Sequence, residues 1–183
     1  MAAAAVTTAT QPNSYTYLPG GRYAGIYGNH RYYPGAGHTA PIRKEMHMIE
    51  LINTTVQTVP VGQSVVYNTA AVRSTCGKER HRPGSAFVTL LPPGRYLVTF
   101  SGNIAVPTGE TVGEISLGIT QDGEVLGGSL MRVTPAAVEE YFNVSTQHYV
   151  DTYCQCCVNV GVQNTSDIPV LVDNPNITVV RVC

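Results

Sequence analysis

The sequence has no tryptophan, only three phenylalanines, and few charges: 13% of its 183 residues are Asp, Glu, Lys or Arg. That is about half the share of an average soluble domain. Without Trp there is no indole platform for stacking a sugar ring. The thin charge leaves a polar, weakly charged surface, which fits a subunit that buries much of its exterior in an assembly, because interface cores are depleted in charge. No run approaches the roughly 20 apolar residues that a membrane-spanning helix needs, so no membrane partner is expected. The opening MAAAAVTTATQPNS lacks the basic n-region and apolar h-region of a signal peptide. Synthesis in a cytosol is therefore expected, with release by lysis or by incorporation into a particle.

The net charge of -1 hides an asymmetry. Residues 1–44 carry Arg22, Arg31, Arg43 and Lys44 and no acid, a charge of +4, while the remaining seven basic and twelve acidic residues give -5. A basic segment on an acidic body can tether to an acidic surface, a neighbouring copy included. Four dispersed charges do not make the dense basic stripe of a nucleic-acid binder, so no nucleic-acid partner is expected.

Residues 1–44 show neither strand nor helix periodicity. They hold Tyr15, Tyr17, Tyr23, Tyr27, Tyr32 and Tyr33, six of the eleven tyrosines, interleaved with glycines. Gly-rich chain is too flexible to hold itself folded, whereas tyrosine supplies wide contact area at low rotamer cost and keeps a hydroxyl for hydrogen bonding. The segment reads as an arm that orders against a partner, with Tyr15, Tyr17, Arg22, Tyr23, Tyr27, Arg31, Tyr32 and Tyr33 as its candidate binding residues.

From residue 45 the texture changes to short strands and turns. Strands are expected at residues 46–52, 64–67, 87–91, 95–104, 114–120, 124–126, 130–133, 139–144, 147–152, 156–162 and 177–182, with a polar loop over 72–85. In the clearest of them Tyr96, Val98, Phe100 and Ile104 share one face and Thr99, Ser101 and Asn103 the other, so one face is buried and one is wet. Ile115, Leu117 and Ile119 repeat the pattern, and Asp122-Gly123 marks a tight hairpin. Cys156, Val158, Val160 and Val162 alternate onto one face. The sole helix candidate is 134–140, with Thr134 as cap and Pro135 at a first helical position, and it is short enough to be a turn. About ten short strands between Gly, Pro and Asn turns indicate an all-β antiparallel sandwich or barrel.

Chemistry-bearing residues are few. The cysteines are Cys76, Cys154, Cys156, Cys157 and Cys183. Cys154-Gln155-Cys156-Cys157 does not have zinc-knuckle spacing. Three fates are open: buried reduced thiols filling space as small apolar groups, the favoured one; a disulfide such as Cys76 to Cys157, or one between copies through Cys183; or a metal site in which Cys76 recruits His81 or His148. Cys76 with His81 lacks an evident orienting group for nucleophilic catalysis. Glu139 and Glu140 are adjacent and face opposite ways on a strand. Asp167, Asp173 and Asn174 supply too few oxygens for calcium. The reading is of a protein that is not an enzyme and uses no metal or cofactor.

The runs LLPPGRYLVTFSGNIAV (residues 90–106) and ISLGITQDGEVLGGSLM (115–131), followed by YFNVSTQHYVDTYCQCCVNVGVQNTS and NPNITVVRVC, resemble in order the globular heads of the tumour-necrosis-factor and complement-head superfamily. They are most similar to its bacterial branch, which caps collagen-like spore-surface proteins. The resemblance covers roughly residues 45–183. It implies a ten-stranded jelly roll packed as a homotrimer about a threefold axis and used for display, adhesion or assembly. No Gly-X-Y stalk precedes the head; the Tyr/Gly arm stands in its place. With a short N-terminal anchor the chain is similar overall to decoration or head-fibre proteins on capsids of tailed phages of gut Firmicutes. The expectation is therefore a trimeric virion surface protein bound to capsid subunits through residues 1–44. The alternatives are a spore-coat or appendage subunit cross-linked by cysteines, and a glycan-binding adhesive head.

Overall fold

Alternation of inward apolar and outward polar side chains turns most of the chain beyond residue 47 into strands. The computed structural model describes residues 47–153 and 156–182. Among these, twelve strands form: β1 (Met48–Ile52), β2 (Gln57–Val59), β3 (Thr69–Val72), β4 (Glu79–His81), β5 (Val88–Leu90), β6 (Gly94–Ala105), β7 (Ile115–Gln121), β8 (Glu124–Val125), β9 (Met131–Val133), β10 (Phe142–Thr152), β11 (Val158–Asn164) and β12 (Val170–Arg181). Apart from a single 3-10 turn at Gly127–Ser129, the described residues hold no helix, and so none long and apolar enough to cross a membrane.

The strands make two antiparallel sheets of six. The first runs β10-β6-β12-β1-β3, with β2 added beside β12; the second runs β4-β5-β11-β7-β8, with β9 beside β7. The first strand pairs with the last, Met48 opposite Val180 and Ile52 opposite Asn176. This is the jelly-roll sandwich.

The core lies between the inner faces. Tyr96, Val98, Phe100 and Ile104 of β6 are fully buried, as the alternation requires, and Ile177 and Val179 of β12 lie opposite Phe100 and Val98. Ile115, Leu117 and Ile119 of β7 and Val158, Val160 and Val162 of β11 close it from the second sheet. Each large apolar side chain buried here contributes about 1.5–3 kcal/mol.

The structure differs from the sequence reading in several places. The strands expected at 139–144 and 147–152 are one, β10, whose polar outer residues imitate a turn. The polar loop at 72–85 contains β4, held by pairing of Glu79 and His81 with Leu90 and Val88 rather than by apolar content. β12 begins seven residues earlier than expected: Asn174, at φ 47°, forms a bulge that lets Pro175 sit within the strand. Residues 134–140 are a turn, in which the Glu140 carboxylate accepts from the amides of Ala136 (2.7 Å) and Ala137 (3.2 Å) and Glu139 is left-handed. The Asp122-Gly123 hairpin forms with both residues at positive φ (51° and 88°), and Asp122 also accepts from the Asn159 amide at 2.8 Å. β7 is buried on both faces, because residues after the hairpin fold over it. A Cβ at Gly118 would stand 2.9 Å from Val125 Cγ1 and 3.0 Å from Leu130 Cδ2.

Tyr67 presents an inverse case. It is fully buried, its hydroxyl meets no partner among the described residues, and burial pushes its phenol above the ordinary value of 10. A phenol kept neutral by folding contributes stability that is fully present below about pH 10 and is lost as pH rises beyond it, by at most about 1.4 kcal/mol per unit. Tyr67→Phe is expected to leave neutral-pH stability unchanged or raised by about 1 kcal/mol, since no bond is lost. Its alkaline loss should be shallower, with a remainder from Tyr96, which burial also raises. Urea midpoints between pH 8 and 11 check this.

Candidate functional site

Two features stand out from the scaffold: the outer face of the first sheet and a thiol-centred cluster at one end of the sandwich.

The register places outward side chains in rows across the first sheet. Tyr149, Leu97, Val180 and Met48 form one apolar row through β10, β6, β12 and β1. Tyr149 is 61% exposed and the other three are half-buried. The next row is Gln147, Thr99, Thr178 and Glu50, then Ser145, Ser101, Asn176 and Ile52, then Asn143, Asn103 and Asp173. Glu50 and Asp173 are the only charges in these four rows. Glu50 accepts from the Asn176 amide, and Asn143 donates to Asn103 Oδ1 at 3.1 Å. Beyond the apolar row, Arg95 donates two hydrogen bonds to Asp151 (2.7 and 2.8 Å), which hold that carboxyl below its usual range. This pair flanks a shallow groove shared with Pro93, Tyr153 and Arg181. A large, nearly uncharged face with an aromatic and three aliphatic side chains has the composition of an interface core.

At the end of the sandwich, the residue preceding β1 meets the β3–β4 connection and the start of β4. His47 Nδ1 lies 2.8 Å from Cys76 Sγ, and the thiol lies 3.5 Å from Glu79 Oε2. Ser74 Oγ is 3.2 Å from the same sulfur and donates to Glu79 Oε2. Glu79 is 3% exposed, and its Oε1 has no hydrogen-bond partner among the described residues.

Sequence reasoning singled out Cys76 but gave it the wrong companions. His81 is occupied elsewhere: its ring nitrogens lie 3.0 Å from the Phe87 carbonyl and 3.1 Å from that of Tyr67. His148 lies against Gly128. The Glu79 carboxylate meets the sulfur itself.

No disulfide joins Cys76 to Cys157. Cys156 and Cys157 are exposed and precede β11, so neither fills the core and Cys156 does not share the buried face of Val158, Val160 and Val162. Cys154 and Cys183 lie outside the described residues, as do Tyr15, Tyr17, Arg22, Tyr23, Tyr27, Arg31, Tyr32 and Tyr33 of the arm. The reading missed His47 and Glu79, which stand far from one another in sequence with no motif to link them. It also missed the apolar row, which exists only once four strands are in register.

No protein-family model matches the sequence, and no curated protein matches it. Solved structures do match. The globular domain of zebrafish complement 1qA superposes with a TM-score of 0.50 at 9% identity, covering 74% of this chain and 97% of that one. The Eiger TNF of S. frugiperda gives 0.53 at 12% identity, with coverage of 76% and 94%. The PRD1 vertex protein P5 gives 0.43 at 15% identity, with coverage of 76% and 99%. The fold is that of the TNF and complement 1q heads.

Proposed function

We propose that this chain is a non-enzymatic structural protein displayed on the surface of a particle, working as a homotrimer with the jelly roll as the displayed head and residues 1–44 as the tether. Its best-fitting setting is the capsid of a tailed phage, as a decoration or head-fibre protein. The observation that carries this reading is the outer face of the first sheet. An apolar row of Tyr149, Leu97, Val180 and Met48, next to rows almost free of charge, is costly to leave in water and suits burial against a second copy. The low overall charge and the basic, Tyr-rich arm on an acidic body support the same assignment. Three arms on one trimer multiply a modest individual attachment, since the second and third bind at high effective concentration.

Deleting residues 1–40 is expected to leave a soluble trimer that no longer co-sediments with the particles the full chain decorates. Normal decoration by the truncated protein would show that the tether lies elsewhere.

The exposed neighbours Cys156 and Cys157 favour a second reading, a spore-coat or appendage subunit cross-linked through its thiols. Covalent multimers of the native protein on a non-reducing gel, dissolved by reductant, separate it from the first.

A further inference from the structure

We propose that His47, Cys76 and Glu79 form a zinc site that staples the two sheets together where the jelly roll begins. The three ligand atoms lie within 4.8 Å of one another, and they come from two stretches of chain: the residue ahead of β1 in the first sheet, and the β3–β4 connection running into the start of β4 in the second. A nitrogen, a sulfur and a carboxylate oxygen form the borderline-soft set that selects zinc over calcium or magnesium, which take oxygen alone.

The geometry is close to what the ion requires. A tetrahedral zinc with Zn–S of about 2.3 Å and Zn–N or Zn–O of about 2.0–2.1 Å holds its sulfur roughly 3.5 Å from each of the other donors. Cys76 Sγ and Glu79 Oε2 already stand 3.5 Å apart. His47 Nδ1, at 2.8 Å from the sulfur, needs to withdraw by less than an ångström, and His47 precedes β1 rather than sitting inside its ladder.

Hydrogen bonding alone does not account for the cluster. Glu79 is 97% buried, and with Ser74 and Cys76 on one oxygen, its other oxygen is left without a partner. A buried carboxylate half-satisfied in this way is expensive. A divalent cation held through Oε2 balances the charge of a thiolate and a carboxylate together and so lowers the cost of keeping that carboxylate buried. Ser74, by donating to Oε2, orients the carboxylate as outer-shell partners of metal ligands do. Three protein ligands leave the fourth zinc position to water or another donor.

The test uses the reduced, chelator-stripped full chain titrated with cobalt(II), whose thiolate charge-transfer band reports a sulfur ligand. One equivalent of cobalt should develop the band, and zinc should abolish it. Cys76→Ser should lose it, while a C154S/C156S/C157S variant should keep it. Glu79→Gln should weaken cobalt affinity by at least about 10-fold, the scale on which ligand-sphere changes act. A measurement on the unsubstituted chain guards against variants that fail to fold: zinc should slow iodoacetamide alkylation of Cys76 and leave the exposed Cys156 and Cys157 unaffected. Absence of the band, its survival in Cys76→Ser, unchanged affinity in Glu79→Gln, or equal alkylation of Cys76 with and without zinc would each overturn the site.

Discussion

Leu97→Glu is expected to turn the proposed trimer into monomers without unfolding it. Leu97 sits at the middle of the apolar row, between Tyr149 and Val180, on the face of the first sheet that points away from the core. In an isolated subunit this position borders solvent, and the adjacent row already carries Glu50 on the same face, so a carboxylate there costs little. Across a closed interface, each copy would bury an unpaired charge against its neighbours' apolar side chains. Truncations of interface anchors cost on the order of 2–4 kcal/mol each, and buried unpaired charges cost several kcal/mol. Threefold repetition makes the penalty decisive. Sedimentation equilibrium should report a monomer for Leu97→Glu, with a far-UV spectrum and a urea m-value typical of a folded domain. Gln147→Glu, one row away on β10, changes charge without touching the apolar row and should shift the equilibrium far less.

Asn164→Ala is expected to cost about 3–4 kcal/mol, among the larger losses from one polar side chain. Asn164, 1% exposed at the end of β11, donates to the carbonyls of Val59 (3.0 Å) and Ile168 (2.9 Å) and accepts from the Ser166 amide (2.9 Å). Its backbone adds bonds to Gln63 (2.8 Å) and Gly62 (3.0 Å). One amide thus ties β11 to the end of β2 and to the turn leading into β12. Truncation leaves two carbonyls and an amide short of a partner in a largely buried place, at about 1–3 kcal/mol for each group left unsatisfied, partly offset by relaxation of the turn and by water at the half-buried Ile168 carbonyl. The urea midpoint should fall with the m-value unchanged.

How much of this was legible beforehand depended on whether the determinant was local. β6 and β7 could be read because Tyr96, Val98, Phe100 and Ile104 (with Gly102 at the intervening inward position), and Ile115, Leu117 and Ile119, keep to one face, and the Asp122-Gly123 turn was readable because its left-handed backbone demands such residues. β4 was not, because Glu-Arg-His has no apolar residue and becomes a strand only by pairing with β5. The early part of β12 was hidden by Pro175, which a bulge accommodates. Cys76 was visible as a reactive residue type, yet its companions were not. His47 is 29 residues away and arrives only when the two sheets close, while the nearer His81 turns to backbone carbonyls. The outer face was equally out of reach: Tyr149, Leu97, Val180 and Met48 are unremarkable singly and form a row through strand order alone.

Self-association through that face is the central property to measure. Sedimentation equilibrium of the unsubstituted, reduced full chain is its most direct measurement. Three chain masses at micromolar concentration is the predicted result. A monomer at the highest soluble concentration, or a trimer that Leu97→Glu leaves intact, would contradict it.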